Sequence, residues 1–96
     1  MEVIFHPLAD DEYWDQVEFY QSINEKISIK FQASFSELIE GISRNPYLCH
    51  NRGNGICSVR VHGFPFSVFY KLANGKILIL SVCHERRNPS VWKTRK

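Results

Sequence analysis

The first half of the sequence places apolar residues at helical spacing. Tyr13, Val17 and Tyr20 recur three or four positions apart. Pro7 and the acidic residues after it suit the first turn of a helix, where proline is tolerated and negative charge complements the helix dipole. The pattern therefore predicts a helix over about residues 8–22.

A second apolar stripe follows after a short polar break. Its members recur at i, i+4, i+7 and i+11, and they are Phe31, Phe35, Leu38 and Ile42. Asn24 can cap this second helix, and Asn45 ends it, because the residue before Pro46 avoids the helical region. Two helices with so short a connection are expected to form an antiparallel hairpin.

Elsewhere the apolar residues follow strand-like patterns. The β-prone runs are residues 2–5, 56–61, 66–72 and 76–83. Asn74-Gly75, between the last two runs, is typical of a two-residue type I′ hairpin. The order predicts a single α+β domain over residues 1–96. It has an N-terminal strand, an antiparallel helix hairpin, a three-stranded antiparallel sheet and a basic C-terminal tail.

The hairpin turn predicts which strand residues share a face of the sheet. With uninterrupted pairing, Tyr70 lies opposite Ile79, and Phe66 lies opposite Cys83. That nearly continuous apolar face is expected to pack against the helices. His84, one residue further on, is then expected on the opposite face.

The same register predicts a cationic patch on the opposite face, which we expect to be uncovered. Its candidates are Arg60, His62, Lys71 and His84, with Arg86 or Arg87 from the tail. Arginine binds phosphate through paired hydrogen bonds, and histidine titrates near neutral pH. The patch could therefore bind an anionic partner or, with a histidine as acid or base, cleave a phosphodiester. The alternative is a solvated surface on which His84 and Arg86 only hold the tail to the sheet.

Composition and charge narrow the class of protein. A hydrophobic content of 44% over 96 residues suits one globular domain with its own core. The sequence shows no signal-type segment and no apolar run of membrane-spanning length, so we expect a cytoplasmic protein without a membrane partner. Nine of the ten acidic residues precede Gly41, whereas most Lys and Arg residues follow it. The basic half could therefore face an acidic partner.

The cysteines are expected to be free. An odd number of them without a secretion signal predicts thiols in a reducing compartment; they are Cys49, Cys57 and Cys83. Their spacing fits no usual metal-ligand pattern, so we expect no metal and no other cofactor. Cys57 and Cys83 are both expected on the apolar face, where thiols are usually inert.

Several segments together resemble the RelE/ParE superfamily of toxins from type II toxin–antitoxin systems, which includes plasmid stabilisation proteins. The N-terminal segments are His6-Pro7-Leu8-Ala9, Glu12-Tyr13 and Asn45-Pro46. The later ones are Gly55-Ile56, Phe64-Pro65-Phe66-Ser67-Val68 with Tyr70, and His84-Glu85-Arg86-Arg87-Asn88-Pro89 with Trp92 and Arg95. The resemblance covers nearly the whole chain. It implies a bacterial growth inhibitor that a cognate antitoxin neutralises by covering its sheet or its helix hairpin.

The resemblance implies one of two targets. RelE-like members cleave mRNA on the ribosome without a metal, and the catalytic candidates here are His84, Arg60 and Arg86. ParE-like members poison DNA gyrase and need only a binding surface, so such a chain would not be an enzyme. The candidate binding residues are Lys71, His62, Arg87, Trp92 and Arg95, with Tyr13, Trp14 and Phe19 as further anchors on the helix hairpin.

Two departures from the family pattern bear on the target. Trp92 stands where RelE-like enzymes tend to have a tyrosine, and an indole cannot act as an acid or base. This slightly favours the gyrase target. Cys57 and Ser58 stand where relatives often have arginine. A third possibility is therefore a degenerate module that binds its antitoxin without being toxic.

Overall fold

In the computed structural model, which describes residues 1–85, two helices cover one face of a five-stranded sheet. The helices are α1 (Pro7–Ile23) and α2 (Glu25–Arg44). The strands are β1 (Val3–Phe5), β2 (His50–Asn51), β3 (Ile56–Arg60), β4 (Phe66–Ala73) and β5 (Lys76–His84). The order across the sheet is β1-β5-β4-β3-β2, with β1 parallel to β5 and the other pairs antiparallel. The α+β class is confirmed, but β1 and β2 enlarge the predicted three-stranded sheet.

Local capping explains where the two helices begin and end. The Nδ1 atom of His6 accepts a hydrogen bond from the Leu8 amide at 3.1 Å, and Pro7 occupies the first helical position. Asn24 ends α1 in an extended conformation, and its side-chain oxygen accepts from the Lys26 amide at 2.9 Å. One residue thus separates the helices, which confirms the antiparallel hairpin.

Aromatic packing joins the hairpin to the sheet. Phe31 of α2 is fully buried, and its ring centroid lies 5.8 Å from that of Phe66 on β4 and 5.2 Å from that of Phe64. Tyr13 of α1 packs against Phe35 of α2, with ring centroids 4.3 Å apart. Such contacts add to the free energy gained by burying apolar area. The predicted apolar stripes therefore form the core.

A β-bulge in β5 changes the predicted register. Tyr70 pairs with Ile79 as expected, but Phe69 pairs with Ser81, so Leu80 is an extra residue. Beyond the bulge, Phe66 pairs with His84 instead of Cys83. Because alternate residues point to opposite faces, this shift of one residue exchanges the faces of Val82, Cys83 and His84.

The sheet face opposite the helices has an apolar centre. Ile56, Phe69, Leu80 and Cys83 form a second buried cluster there, with Leu78 packed against it. The expectation of an uncovered face is therefore wrong at its centre. Cys83 belongs to this cluster, whereas Cys57 packs against the main core on the helix side, so the two cysteines do not share a face.

The prediction of three free thiols is also wrong. Cys49 and Cys57 form a disulfide that joins the chain before β2 to β3, and Cys83 is free and buried. Sequence spacing did not indicate this pair, because the two cysteines meet only when β2 folds back onto β3. Within residues 1–85, no helix is long and apolar enough to cross a membrane.

Candidate functional site

Strands β3 and β4 bring polar and charged side chains together on the sheet face opposite the helices. Arg60 pairs with Ser67, Ser58 pairs with Phe69, and directly paired residues point to the same face. Lys71, two positions after Phe69, also belongs to this face. We refer to the surface formed by Arg52, Arg60 and Lys71 around the apolar cluster as the cationic face.

Arg52 joins the cationic face from the turn between β2 and β3. Its Nε donates a hydrogen bond to Ser58 Oγ at 2.8 Å, and its Cζ lies 5.9 Å from the centroid of the Phe69 ring. That separation is typical of a cation–π contact. The sequence interpretation missed Arg52. The signal was Gly53-Asn54-Gly55, a turn sequence that folds the preceding residue back onto the strand that follows.

Arg60 is held at the end of β3 by two partners. Its Nε lies 3.0 Å from a carboxylate oxygen of Glu85 and 3.4 Å from the carbonyl oxygen of Phe64. Both members of the ion pair are exposed, so water and salt screen it and it adds little to stability. The pair orients the guanidinium, whose remaining N–H groups can still bind a partner.

Lys71 is the half-buried cation of this face. It lies opposite Ile56, so its aliphatic stem borders the buried apolar cluster. Its ammonium makes no hydrogen bond or ion pair with residues 1–85. This charge is therefore available to a partner as far as the described part of the chain goes.

The predicted placement of His84 beside these cations is wrong. The bulge puts His84 opposite Phe66 on the helix side, with ring centroids 5.1 Å apart in an edge-on contact. His62 lies exposed in the turn between β3 and β4. The other predicted site residues lie outside the described residues, and they are Arg86, Arg87, Trp92 and Arg95. Of the predicted patch, the structure places Arg60 and Lys71 on the same face, four positions apart along the paired strands.

Glu12 of α1 binds the bulge in β5. One of its carboxylate oxygens accepts from the Val82 amide at 3.1 Å and from Ser81 Oγ at 3.2 Å. A bulge interrupts the hydrogen bonds between strands, so a buried amide beside it needs another acceptor. Glu12 supplies that acceptor, and it thereby stabilises the register that separates His84 from the cationic face.

A groove lies on the other side of the molecule, between β1 and the helix hairpin. It encloses about 510 Å³ and is lined mainly by apolar side chains, with Asp10 and Glu40 among its polar residues. Tyr13, Trp14 and Phe35 contribute its aromatic surface. Burial raises the pKa of the Tyr13 hydroxyl above its ordinary value. The groove suits apolar side chains of a partner peptide.

The helix hairpin and the mixed sheet form an α+β fold that toxins of solved structure share. The structure is similar to a chain of the chromosomal ParDE toxin–antitoxin system from P. aeruginosa. The TM-score is 0.75, with 15% identity over 88% of this chain and 95% of that chain. It is also similar to the YoeB dimer structure from Staphylococcus aureus, with a TM-score of 0.60 and 24% identity over 88% and 95% of the two chains.

A YoeB/ParE toxin from Agrobacterium tumefaciens has a TM-score of 0.59 and 15% identity, over 88% of this chain and 98% of that one. Residues 3–89 match the family of ParE toxins of the type II toxin–antitoxin system parDE. The chain therefore belongs to the ParE toxin family, which confirms the resemblance drawn from the sequence. No curated protein matches it significantly.

Proposed function

We propose that this bacterial toxin acts in the cytoplasm by binding DNA gyrase, and that a cognate antitoxin neutralises it. The observation that carries the proposal is the separation of His84 from Arg60 and Lys71 by the bulge in β5. A metal-independent nuclease needs an acid or base close to the cations that stabilise the phosphorane. A gyrase inhibitor needs only a binding surface.

Two further observations favour binding over cleavage. The match to ParE toxins spans most of the chain. The resemblance to this branch of the superfamily implies gyrase as the target. Trp92 replaces the tyrosine that RelE-like enzymes tend to have, and its indole can only donate a hydrogen bond. Arg87 and Arg95 remain candidate binding residues of the same tail.

The helix hairpin offers candidate anchors for a protein partner. Trp14 is 51% exposed and Phe19 is 54% exposed, which is unusual for side chains so large. Exposed aromatic residues of this kind often contribute most of the binding energy of an interface. The groove beside β1 would hold apolar residues of the antitoxin, and its occupation would hide Trp14.

The proposal is tested by producing the chain alone in a bacterium. We expect filamentation and DNA damage while mRNA remains intact, and a normal growth rate when the adjacent antitoxin gene is expressed as well. The His84→Ala variant should remain toxic, as should the control His50→Ala. Rapid mRNA cleavage that His62→Ala or His84→Ala abolishes, but His50→Ala does not, would show the nuclease function instead.

A purified system gives a second test. The chain should inhibit supercoiling by isolated gyrase, and equimolar antitoxin should restore the activity. Trp14→Ala should weaken inhibition at least tenfold, whereas Tyr47→Ala, which removes an exposed aromatic side chain elsewhere, should not. Undiminished supercoiling at a large excess of toxin would contradict the gyrase proposal.

The second candidate function is mRNA cleavage on the ribosome. Arg60 and Lys71 on one face favour it, because both can hold phosphate, and the exposed His62 lies in the turn two positions after Arg60. In that case His62→Ala should abolish cleavage. A chain that binds the antitoxin but leaves growth and mRNA unchanged would be the degenerate module.

A further inference from the structure

The disulfide joins the two ends of a short segment at the edge of the sheet. It closes the chain between Cys49 and Cys57, whose Cα atoms are 5.5 Å apart, a normal spacing for such a bond. Between them lies β2, a strand of two residues at the edge of the sheet. So short a strand pair is only marginally stable by itself.

The turn in this segment has a high conformational cost. Gly53, Asn54 and Gly55 all have positive φ, at 90°, 54° and 75°. Ordering two glycines costs more backbone entropy than ordering other residues. A few hydrogen bonds oppose this cost, among them the one from the Arg52 amide to the Ile56 carbonyl at 2.8 Å. The covalent link adds to these hydrogen bonds and joins the two ends of the segment.

Neighbouring residues at the end of this segment point to opposite faces of the sheet. Cys57 packs on the helix side, whereas Ser58, the next residue, holds Arg52 on the cationic face. An event at the sulfur atoms on one face can therefore change the position of a charge on the other. The two thiols are also close enough to form the bond again after it has opened.

We propose that Cys49 and Cys57 form a reversible redox pair that orders the β2–β3 turn and sets the position of Arg52. In the oxidised state the turn is closed and Arg52 lies against Ser58 and Phe69. In the reduced state β2 detaches from β3, and Arg52 leaves the cationic face. The proposal does not depend on which cellular target the toxin has.

The chemistry is thiol–disulfide exchange with a dithiol. A thiolate of the dithiol attacks one sulfur of the pair and forms a mixed disulfide, while the other cysteine leaves as a thiolate and takes up a proton. The second thiol of the dithiol, as its thiolate, then displaces the first cysteine. The protein gains two electrons and two protons, and the dithiol becomes a cyclic disulfide. Oxidised glutathione drives the reverse change and yields two molecules of the reduced thiol.

Counting thiols in the intact chain tests the pairing. After treatment with oxidised glutathione and removal of the excess, alkylation in denaturant should label only Cys83. After dithiothreitol, all three cysteines should be labelled, as mass spectrometry of the peptides would show. Three labelled cysteines in the oxidised sample, or a disulfide that contains Cys83, would overturn the proposal.

Hydrogen exchange tests the effect on the turn. Amides of residues 50–56 should exchange at least tenfold faster in the reduced protein, whereas those of the β4–β5 hairpin should not change. Trypsin should likewise cut after Arg52 at least tenfold faster once the bond is reduced. Equal exchange and equal cleavage in the two states would overturn the proposal.

Matched variants separate the pair from general effects of reductant. Cys49→Ser should show fast exchange over residues 50–56 under both conditions. Cys83→Ser removes the free cysteine and should keep the redox dependence. If Cys83→Ser does not fold, the comparison of reduced and oxidised wild-type protein still decides the matter. Slow exchange over this segment in folded, fully reduced Cys49→Ser would contradict the proposal.

Discussion

Glu12 shows how one side chain can stabilise the path of a distant strand. Its carboxylate accepts from Val82 and Ser81, about 70 positions further along the chain. Nothing in the local sequence of α1 indicates this role, because Glu12 has the appearance of one more acid in the first helical turns. Its importance follows from a tertiary contact, so sequence periodicity could not predict it.

Replacing Glu12 with alanine should lower the free energy of unfolding by about 1–3 kcal/mol, because a partly buried amide and hydroxyl lose their acceptor. Urea denaturation monitored by tryptophan fluorescence would measure the loss. Asp11→Ala is the matched control, since Asp11 is the exposed acid of the preceding position. Equal stability of the two variants would show that Glu12 does not support the bulge.

Tyr70 contributes a buried hydrogen bond and a dependence on pH. Its hydroxyl donates to the Pro46 carbonyl at 2.9 Å, and burial raises its pKa above the ordinary value of 10.0. The folded state therefore favours the protonated phenol more than the unfolded chain does. The resulting stability is present below pH 10 and is lost as the pH rises through the higher pKa of the folded state.

The Tyr70→Phe variant should be less stable at neutral pH by about 1 kcal/mol, because the Pro46 carbonyl loses its donor. Its stability should also fall less steeply above pH 10, since one titrating group with a raised pKa is gone. Thermal unfolding at several pH values would measure both effects. Tyr47→Phe should change neither, because Tyr47 is 74% exposed.

At the scale of elements, the local sequence was enough to predict the helices and the β4–β5 hairpin. Asn24 and Pro46 bound α2, and Asn74-Gly75 forms the expected tight turn, with positive φ at both residues. The strand β2 could not be predicted in this way. It has only two residues, and its place depends on a disulfide and on the contact of Arg52 with Ser58.

Two glycine substitutions should have opposite effects. Gly75→Ala should destabilise the protein by about 1 kcal/mol or more, because Gly75 has a φ of 72°, where a Cβ atom is strained. Gly41→Ala should stabilise it by about 0.5–1 kcal/mol, since the added methyl group meets no atom within 4 Å and alanine favours the helix α2. Calorimetric melting of both variants would reveal the difference in sign.

At the scale of the whole molecule, charge is divided between the two layers. Most acids belong to the helical half of the sequence, and the cationic face belongs to the sheet. The sequence predicted this division, as well as the placement of Arg60 and Lys71 on one face of the sheet. It could not predict that His84 would lie on the helix side. Which side chains share a face of the sheet depends on whether a bulge interrupts the strand pairing.

Reversing one positive charge on the sheet and one on the helices tests whether charge is divided between these two layers. Lys71→Glu and Lys30→Glu both change the formal net charge from +2 to 0, since each replaces one positive charge by one negative charge. Lys71→Glu should weaken binding to heparin, because the lost charge lies on the cationic face. The slope of log affinity against log salt concentration should also fall by about one released counterion. Lys30→Glu, on α2, should leave both nearly unchanged. A salt titration of affinity would distinguish them.

The extra residue at Leu80 also affects how this chain is compared with its relatives. An alignment with a toxin whose last strand has no bulge requires a gap of one position between Ile79 and Ser81. Without that gap, Val82, Cys83 and His84 are each matched to a residue that points to the opposite face. Active-site residues would then be transferred to the wrong side of the sheet, although the fold and the family had been identified correctly.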